Sequence, residues 1–316
     1  MGSAPLFFVQ PQYWKEVRSM ATTSQLNDRL IHVFFFIVGA SGIIILALIF
    51  FFLFYEGVPI FQEVSLKDFL FGEYWYPTYD PPDFGIYPLI IGSISVTALS
   101  SLIAIPLGIG SAIYLAEIAS PKIRAVIKPV IELIEGLPTV VIGFFGMVVV
   151  APLLQDLLGI ATGLNLFNAA IMLAFMAVPT ITSVSEDAIY SVPGELKEAS
   201  MALGATHGET IFRVVIPAAL SGISTAVILG IARAIGETMV VLMVAGGAAI
   251  VPESIFDPVR PMPASIAAEM AEAPFRGLHY HALFGIGLVL FVFTFFFNLL
   301  ADYLANKHKQ VGASTL

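Results

Sequence analysis

The chain has 316 residues, of which 58% are hydrophobic and 12% charged, and its mean hydropathy is +0.92. An ordinary soluble domain carries about 25% charged residues, and disorder needs low hydrophobicity with high charge, so both classes are excluded. A polytopic helical membrane protein remains; an outer-membrane barrel would alternate weakly instead of showing long apolar runs. Net charge of -9 and a pI of about 5.0 argue against a nucleic-acid partner. With no cysteine, the chain has no disulfide, thiolate metal site or cysteine nucleophile.

Residues 1–30 are mostly polar and read as an N-terminal tail rather than a signal peptide. Ile31–Tyr55 follows, 25 residues without an acidic or basic charge, enough to cross a bilayer with some tilt. The next stretch, to residue 85, is acidic: Glu56, Glu63, Asp68, Glu73, Asp80 and Asp83 face a single Lys67. It also holds Tyr74, Trp75, Tyr76 and Tyr79, amphipathic rings suited to an interfacial cap. Residues 86–306 form a core with five further expected spans: Ile86–Ile118, Val130–Leu154, Leu166–Val184, Ala218–Ala245 and Ala282–Leu304. A tail follows at 307–316. Pro138, Pro179, Gly222 and Gly236 inside these spans suit packed transmembrane helices.

Basic residues fix the expected orientation. Lys15, Arg18, Arg29, Lys122, Arg124, Lys128, Lys197, Arg213, Lys307 and Lys309 all fall on the side of the termini, ten of the fourteen. Lys67, Arg260 and Arg276 fall on the other side, and Arg233 lies within the fifth span. The expectation is a multi-pass protein of the cytoplasmic membrane with both termini cytoplasmic.

The connection between spans four and five, about 33 residues, is cytoplasmic yet acidic, with Glu186, Asp187, Glu195, Glu198 and Glu209 against Lys197 and Arg213. Ser191-Val192-Pro193-Gly194-Glu195 reads as a helix start. Gly204 breaks the helix, and a second short helix from Thr206 to Val215 is stopped or kinked at Pro217. Such a knob needs a partner to cover its apolar side. The run Glu198-Ala199-Ser200-Met201-Ala202-Leu203-Gly204, then nine residues, then Val214-Val215-Ile216-Pro217, resembles the EAA loop of ABC importer permeases. Ser200, Val214 and Ile216 are small or apolar replacements within that pattern. The resemblance implies a six-helix type I importer fold and a coupling helix, carried by Glu198, Ala199, Gly204 and Pro217, that docks on a separate ATPase subunit. The chain has no Gly-Lys pair and hence no P-loop, so ATP and its Mg would belong to that partner.

Ionisable residues within spans cost about 2.5–3.5 kcal/mol each on insertion scales and mark function by default. Arg233 and Glu237 stand four apart in the fifth span, which on one continuous helix puts them on one face. The pair is either a self-neutralising structural staple or part of a pore, where the Arg233 fork suits an oxyanion. Glu132 and Glu135 sit near the cytoplasmic end of the third span: Glu132 reads as a solvated helix-end carboxylate, and Glu135 as either that or a pathway residue, since Gly136 and Pro138 can open the helix there. His279 and His281, with no clear third ligand, read as interfacial packing rather than a metal site.

Gly230-Ile231-Ala232-Arg233-Ala234-Ile235-Gly236-Glu237-Thr238 resembles the G-x-x-R-A-x-G-E-T segment of phosphate importer permeases of the Pst type. Glu135–Gly143, Ser265–Glu272 and Gly277-Leu278-His279 also resemble that family, the last two its PstC branch. What this implies is a permease subunit, not an enzyme, with Arg233 and Glu237 on the substrate pathway and Glu237 orienting Arg233; Glu135, from its place beside Gly136 and Pro138, is expected to join them. It further implies a second, PstA-like permease subunit, two ATPase subunits and an extracytoplasmic phosphate-binding protein. A sulfate or molybdate permease would share the coupling loop, and an ion-coupled secondary transporter would share the spans but not that loop.

Overall fold

The computed structural model describes the backbone of residues 11–307 and side chains from Ile31 to Leu300, with Arg29 and Tyr303. Residues 1–10 and 308–316, the outer parts of the two expected tails, lie outside the described residues. The chain divides into two compact units, 1–55 and 56–316. The described part of the first is one long helix, α1 (Pro11–Gly57), which runs just past the boundary between the units. Among the described residues six stretches are long and apolar enough to cross a membrane: Ile31–Glu63, Tyr87–Ile118, Thr139–Leu158, Leu166–Tyr190, His207–Ile235 and Leu278–Leu300.

The second unit opens with the acidic stretch, which packs with the core. Short helices α2 (Ile60–Glu63) and α3 (Leu66–Phe71) lead into a hairpin of β1 (Trp75–Tyr76) and β2 (Asp83–Phe84), antiparallel with Trp75 opposite Phe84. Ser65 caps α3 by accepting the Asp68 N–H at 3.0 Å. Ile60, Phe69, Trp75 and Phe84 are buried together with Met262, Leu283 and Ile286. Trp75 is therefore a core residue. Tyr74, Tyr76 and Tyr79 keep the expected exposed position, with the Tyr76 and Tyr79 rings stacked at 4.8 Å.

The bundle follows. Helix α4 (Tyr87–Ile113) ends in a π turn at Tyr114–Ile118, and α5 (Pro121–Glu135) is a separate amphipathic helix. The third span is α6 (Thr139–Phe145), a π turn at Gly146–Val150 and α7 (Ala151–Leu158). The expected span Val130–Leu154 thus merged two helices, because Gly136 and Pro138 break the run between them. Helix α8 (Leu166–Tyr190) starts on an Asn165 cap and runs six residues beyond the expected end.

Next come α9 (Gly194–Ala202), α10 (His207–Thr210), a π turn at Ile211–Val215 and α11 (Ile216–Ile235). Pro217 does not stop this run. It lacks the N–H that would bond the Arg213 carbonyl, and the helix widens to π register just before it; Pro152 follows Gly146–Val150 in the same way. Helices α12 (Met239–Val244), α13 (Met262–Glu269) and α14 (Leu278–Lys307) complete the chain. The expected fifth span Ala218–Ala245 is broken at Gly236–Thr238, so α11 and α12 are distinct.

Helix α8 is the central post, packed along α4 and α11. Small residues allow this. Ser100, Ala104, Gly108 and Ala112 recur every four residues on α4, as do Gly222, Ala226, Gly230 and Ala234 on α11. Ile181 of α8 is wedged between the two stripes: a Cβ on Gly108 or on Gly230 would come within 2.6 Å of its side chain. In lipid, close packing and interhelical polar bonds replace the hydrophobic drive. Thr182 adds one such bond, donating to the Gly108 carbonyl at 3.2 Å. At one end of the bundle, Glu186 of α8 is buried beneath Arg124 and Lys128 of α5. Asp187 and Glu186 together hold the Lys128 ammonium above the ordinary lysine range.

Candidate functional site

Two helix breaks meet at the candidate site. Glu135 is the last residue of α5, before the break at Gly136–Pro138. Arg233 lies in the last turn of α11, before the break at Gly236–Thr238. Broken helices free backbone groups and place helix ends beside one another, an arrangement that forms the ligand sites of many secondary transporters. Past both breaks the chain packs again: α6 lies on α12, and a Cβ on Gly143 would come within 2.9 Å of Met243 Sδ.

Arg233 does not pair with Glu237. Its Nη1 donates to Glu135 Oε1 at 3.3 Å and to Thr180 Oγ1 at 3.1 Å, and its Nη2 to the Glu135 carbonyl at 3.4 Å. The Thr180 hydroxyl donates to Glu135 Oε1 at 2.8 Å, closing a ring of three side chains from α5, α8 and α11. The ring is not sealed, since the Arg233 and Glu135 side chains keep 32% and 35% of their exposure. A guanidinium has five donor hydrogens. Three are used here, so two remain without a described partner, enough for a bidentate oxyanion.

Glu237 misses Arg233 because the helix ends between them. Gly236 caps α11, which removes the helical register that a four-residue spacing presumes. The Glu237 carboxylate instead accepts the Val240 N–H at 3.2 Å and so caps the start of α12. The expected one-face pair is corrected accordingly. The structure joins Arg233 to Glu135, which the sequence had placed in a different span. It adds Thr180, which the sequence reading missed. The available signal was a hydroxyl run, Thr180, Thr182, Ser183 and Ser185, following the apolar stretch Ala169–Val178 of the same helix.

The knob is built from local rules. Ser191 ends α8 rather than starting the next helix, and α9 begins at Gly194. Gly204 adopts φ +92° past the end of α9. The Ala205 N–H reaches the Ser200 carbonyl at 3.2 Å and the Gly204 N–H the Met201 carbonyl at 2.9 Å, a Schellman stop that favours glycine. Thr206 and Glu209 then form a capping box that starts α10. Ser200 Oγ and Thr210 Oγ1 lie 2.9 Å apart and latch the two helices. Lys197 ties α9 to Glu117 of the π turn after α4 at 2.6 Å. Glu198 and Ala199 are exposed, and so are Leu196, Met201, Leu203 and Phe212; Leu203 keeps 91% of its exposure.

A second polar knot lies between the hairpin, the 247–261 segment, α13 and the start of α14. Glu269 accepts from Trp75 Nε1 at 3.0 and 3.1 Å, from Arg260 at 2.5 Å and pairs with His279 Nε2 at 2.8 Å. His281 Nδ1 contacts the carbonyl of buried Glu56 at 2.7 Å. Both expected packing histidines are thus held by neighbouring oxygens.

Residues 104–310 match the model of the binding-protein-dependent transport system inner membrane component family. A probable ABC transporter permease, YqgH of Bacillus subtilis, is 44% identical over 246 residues, covering 78% of this chain and 80% of that protein. The phosphate transport system permease PstC of Mesorhizobium japonicum is 36% identical over 258 residues, covering 76% and 78%. Among solved structures, the methionine ABC transporter MetNI in its inward-facing conformations superposes with a TM-score of 0.56 at 19% identity, covering 69% of this chain and 94% of that one. The chain therefore belongs to the family of binding-protein-dependent transport system inner membrane components, with the fold of a type I ABC importer permease.

Proposed function

We propose that this chain is the PstC-like permease subunit of an ATP-driven phosphate importer, with Arg233 and Glu135 on the substrate pathway and Glu237 beside it, capping the helix that follows the break. The observation that carries the reading is the open ring of Arg233, Glu135 and Thr180 where two broken helices meet. A guanidinium with two uncommitted donors is an oxyanion receptor. A carboxylate beside it keeps the site from trapping the anion, and a transport site must release what it binds. Similarity to PstC permeases of phosphate transport systems supports phosphate as that anion.

The knob supports ATPase coupling. Its exposed Leu196, Met201, Leu203 and Phe212 form an apolar surface beside Glu198 and Ala199, shaped by Gly204 and leading through Pro217 into α11. Movement of a docked ATPase subunit would therefore reach Arg233 along one helical run, biasing a two-state packing. The assembly in this reading holds a PstA-like second permease, two ATPase subunits that carry ATP and Mg, and an extracytoplasmic phosphate-binding protein. Both termini are cytoplasmic, on the basic-residue count.

The test is labelled-phosphate uptake in cells lacking their own high-affinity importer, given this chain and its partner subunits, with unlabelled sulfate or molybdate in excess. Uptake that resists both competitors and falls at least roughly tenfold in Arg233→Gln is expected, the scale of one lost charge-assisted interaction. Unchanged uptake in Arg233→Gln would remove Arg233 from the pathway.

A further inference from the structure

Resting on the proposed phosphate pathway, we propose that Glu135 selects the protonated oxyanion: it accepts a hydrogen bond from a P–OH of phosphate while Arg233 holds the unprotonated oxygens. The side chains of the ring impose this division. Arg233 can only donate, and a carboxylate can only accept. The two are 3.3 Å apart, so an anion on the free Arg233 donors, one guanidinium width away at most, has Glu135 as its nearest carboxylate neighbour in the ring. Thr180 fixes Glu135 Oε1 by donation at 2.8 Å, so the carboxylate does not swing away without losing that bond. Its other oxygen, Oε2, carries no described partner and is free to accept.

At neutral pH phosphate carries at least one O–H and can satisfy both groups at once. Sulfate and molybdate carry none, and they would set an anionic oxygen against the Glu135 carboxylate. A site built around an acceptor rejects the analogue that lacks the donor, because its polar group is left unpaired. Discrimination thus has a source within the permease, separate from any partner that delivers the anion. Glu237 does not supply it, since its carboxylate is engaged by the Val240 N–H at the start of α12.

The test uses the detergent-solubilised importer complex without added binding protein. The arginine reagent phenylglyoxal is applied, and modification of the peptide carrying Arg233 is followed by mass spectrometry. Millimolar inorganic phosphate is expected to slow modification of Arg233 by roughly tenfold, and equimolar sulfate hardly at all. In Glu135→Gln, whose amide can donate, sulfate is expected to protect as well as phosphate. Arg260, engaged with Glu269, serves as the internal reference for general reactivity.

Equal protection of the wild-type complex by phosphate and sulfate would overturn Glu135 as selector and leave the anion site at Arg233 standing. Continued rejection of sulfate by Glu135→Gln would overturn that role in the same way. Protection by neither anion would instead sink the placement of phosphate at Arg233. The wild-type arms decide the matter even if Glu135→Gln fails to assemble.

Discussion

Two arginine–carboxylate knots in the same compact unit use similar groups to opposite ends. Around Glu269, three donors from distant segments converge: Trp75 from the hairpin, Arg260 from the 247–261 segment and His279 from α14. The Glu269 side chain keeps only 16% of its exposure, and the Arg260 guanidinium pairs with it directly. Around Arg233 the contacts are longer, at 3.1–3.4 Å, both charged side chains are about twice as exposed as Glu269, and donors stay open. A carboxylate saturated by fixed donors closes a structure. An arginine only partly engaged, beside a helix break, can exchange partners.

The largest expected effect tests the closed knot. Glu269→Ala leaves Arg260 without its counter-charge and the Trp75 N–H without an acceptor. Breaking a largely buried pair in this way costs about 3–5 kcal/mol. The thermal denaturation midpoint of the purified complex should fall sharply, together with the amount of chain in the membrane. A midpoint close to wild type would mean that the hairpin and α13 are held by the Ile60–Phe69–Met262 cluster alone.

The open knot should respond differently. Glu135→Gln keeps the bond from Thr180 and the backbone bond to Arg233, and the pair it breaks is a third exposed. The expected cost in stability is under about 1 kcal/mol, well below that of Glu269→Ala in the same midpoint assay, while anion behaviour changes. A loss of stability as large as that of Glu269→Ala would make the Arg233–Glu135 pair a structural staple, the alternative reading of an intramembrane charge.

The contrast between the two knots also marks what the sequence made legible. Six spans, the acidic cap and the knob could be read because each rests on local rules: apolar length, charge bias, and a Gly204 stop followed by Thr206 and Glu209. The partners of Arg233 could not be read, because they depend on where helices end. Spacing of four implies contact only on an unbroken helix, and Gly236 breaks it. Glu135 lies 98 positions away in sequence and reaches Arg233 only because α5 also ends early. Likewise Trp75 looked like an interfacial ring until a carboxylate 194 residues away claimed its N–H. The small-residue stripes on α4 and α11 were present in the sequence at period four and marked two faces for close packing, though not α8 as the helix between them.

The smallest expected effect bears on Glu237, the residue that sequence spacing assigned to Arg233. Its carboxylate accepts one backbone N–H at the start of α12 and makes no described bond to the guanidinium. In Glu237→Gln the side-chain oxygen can still accept from Val240. What is lost is the attraction of a negative charge to the helix start, typically about 0.3–1 kcal/mol. Uptake should therefore fall by no more than about fivefold, and protection of Arg233 by phosphate should stay as in wild type. If Glu237→Gln instead matches Arg233→Gln in uptake, the two side chains meet in another state of the transport cycle, one in which α11 and α12 run as a continuous helix. The break at Gly236–Thr238 would then be the hinge of the pathway rather than its fixed frame.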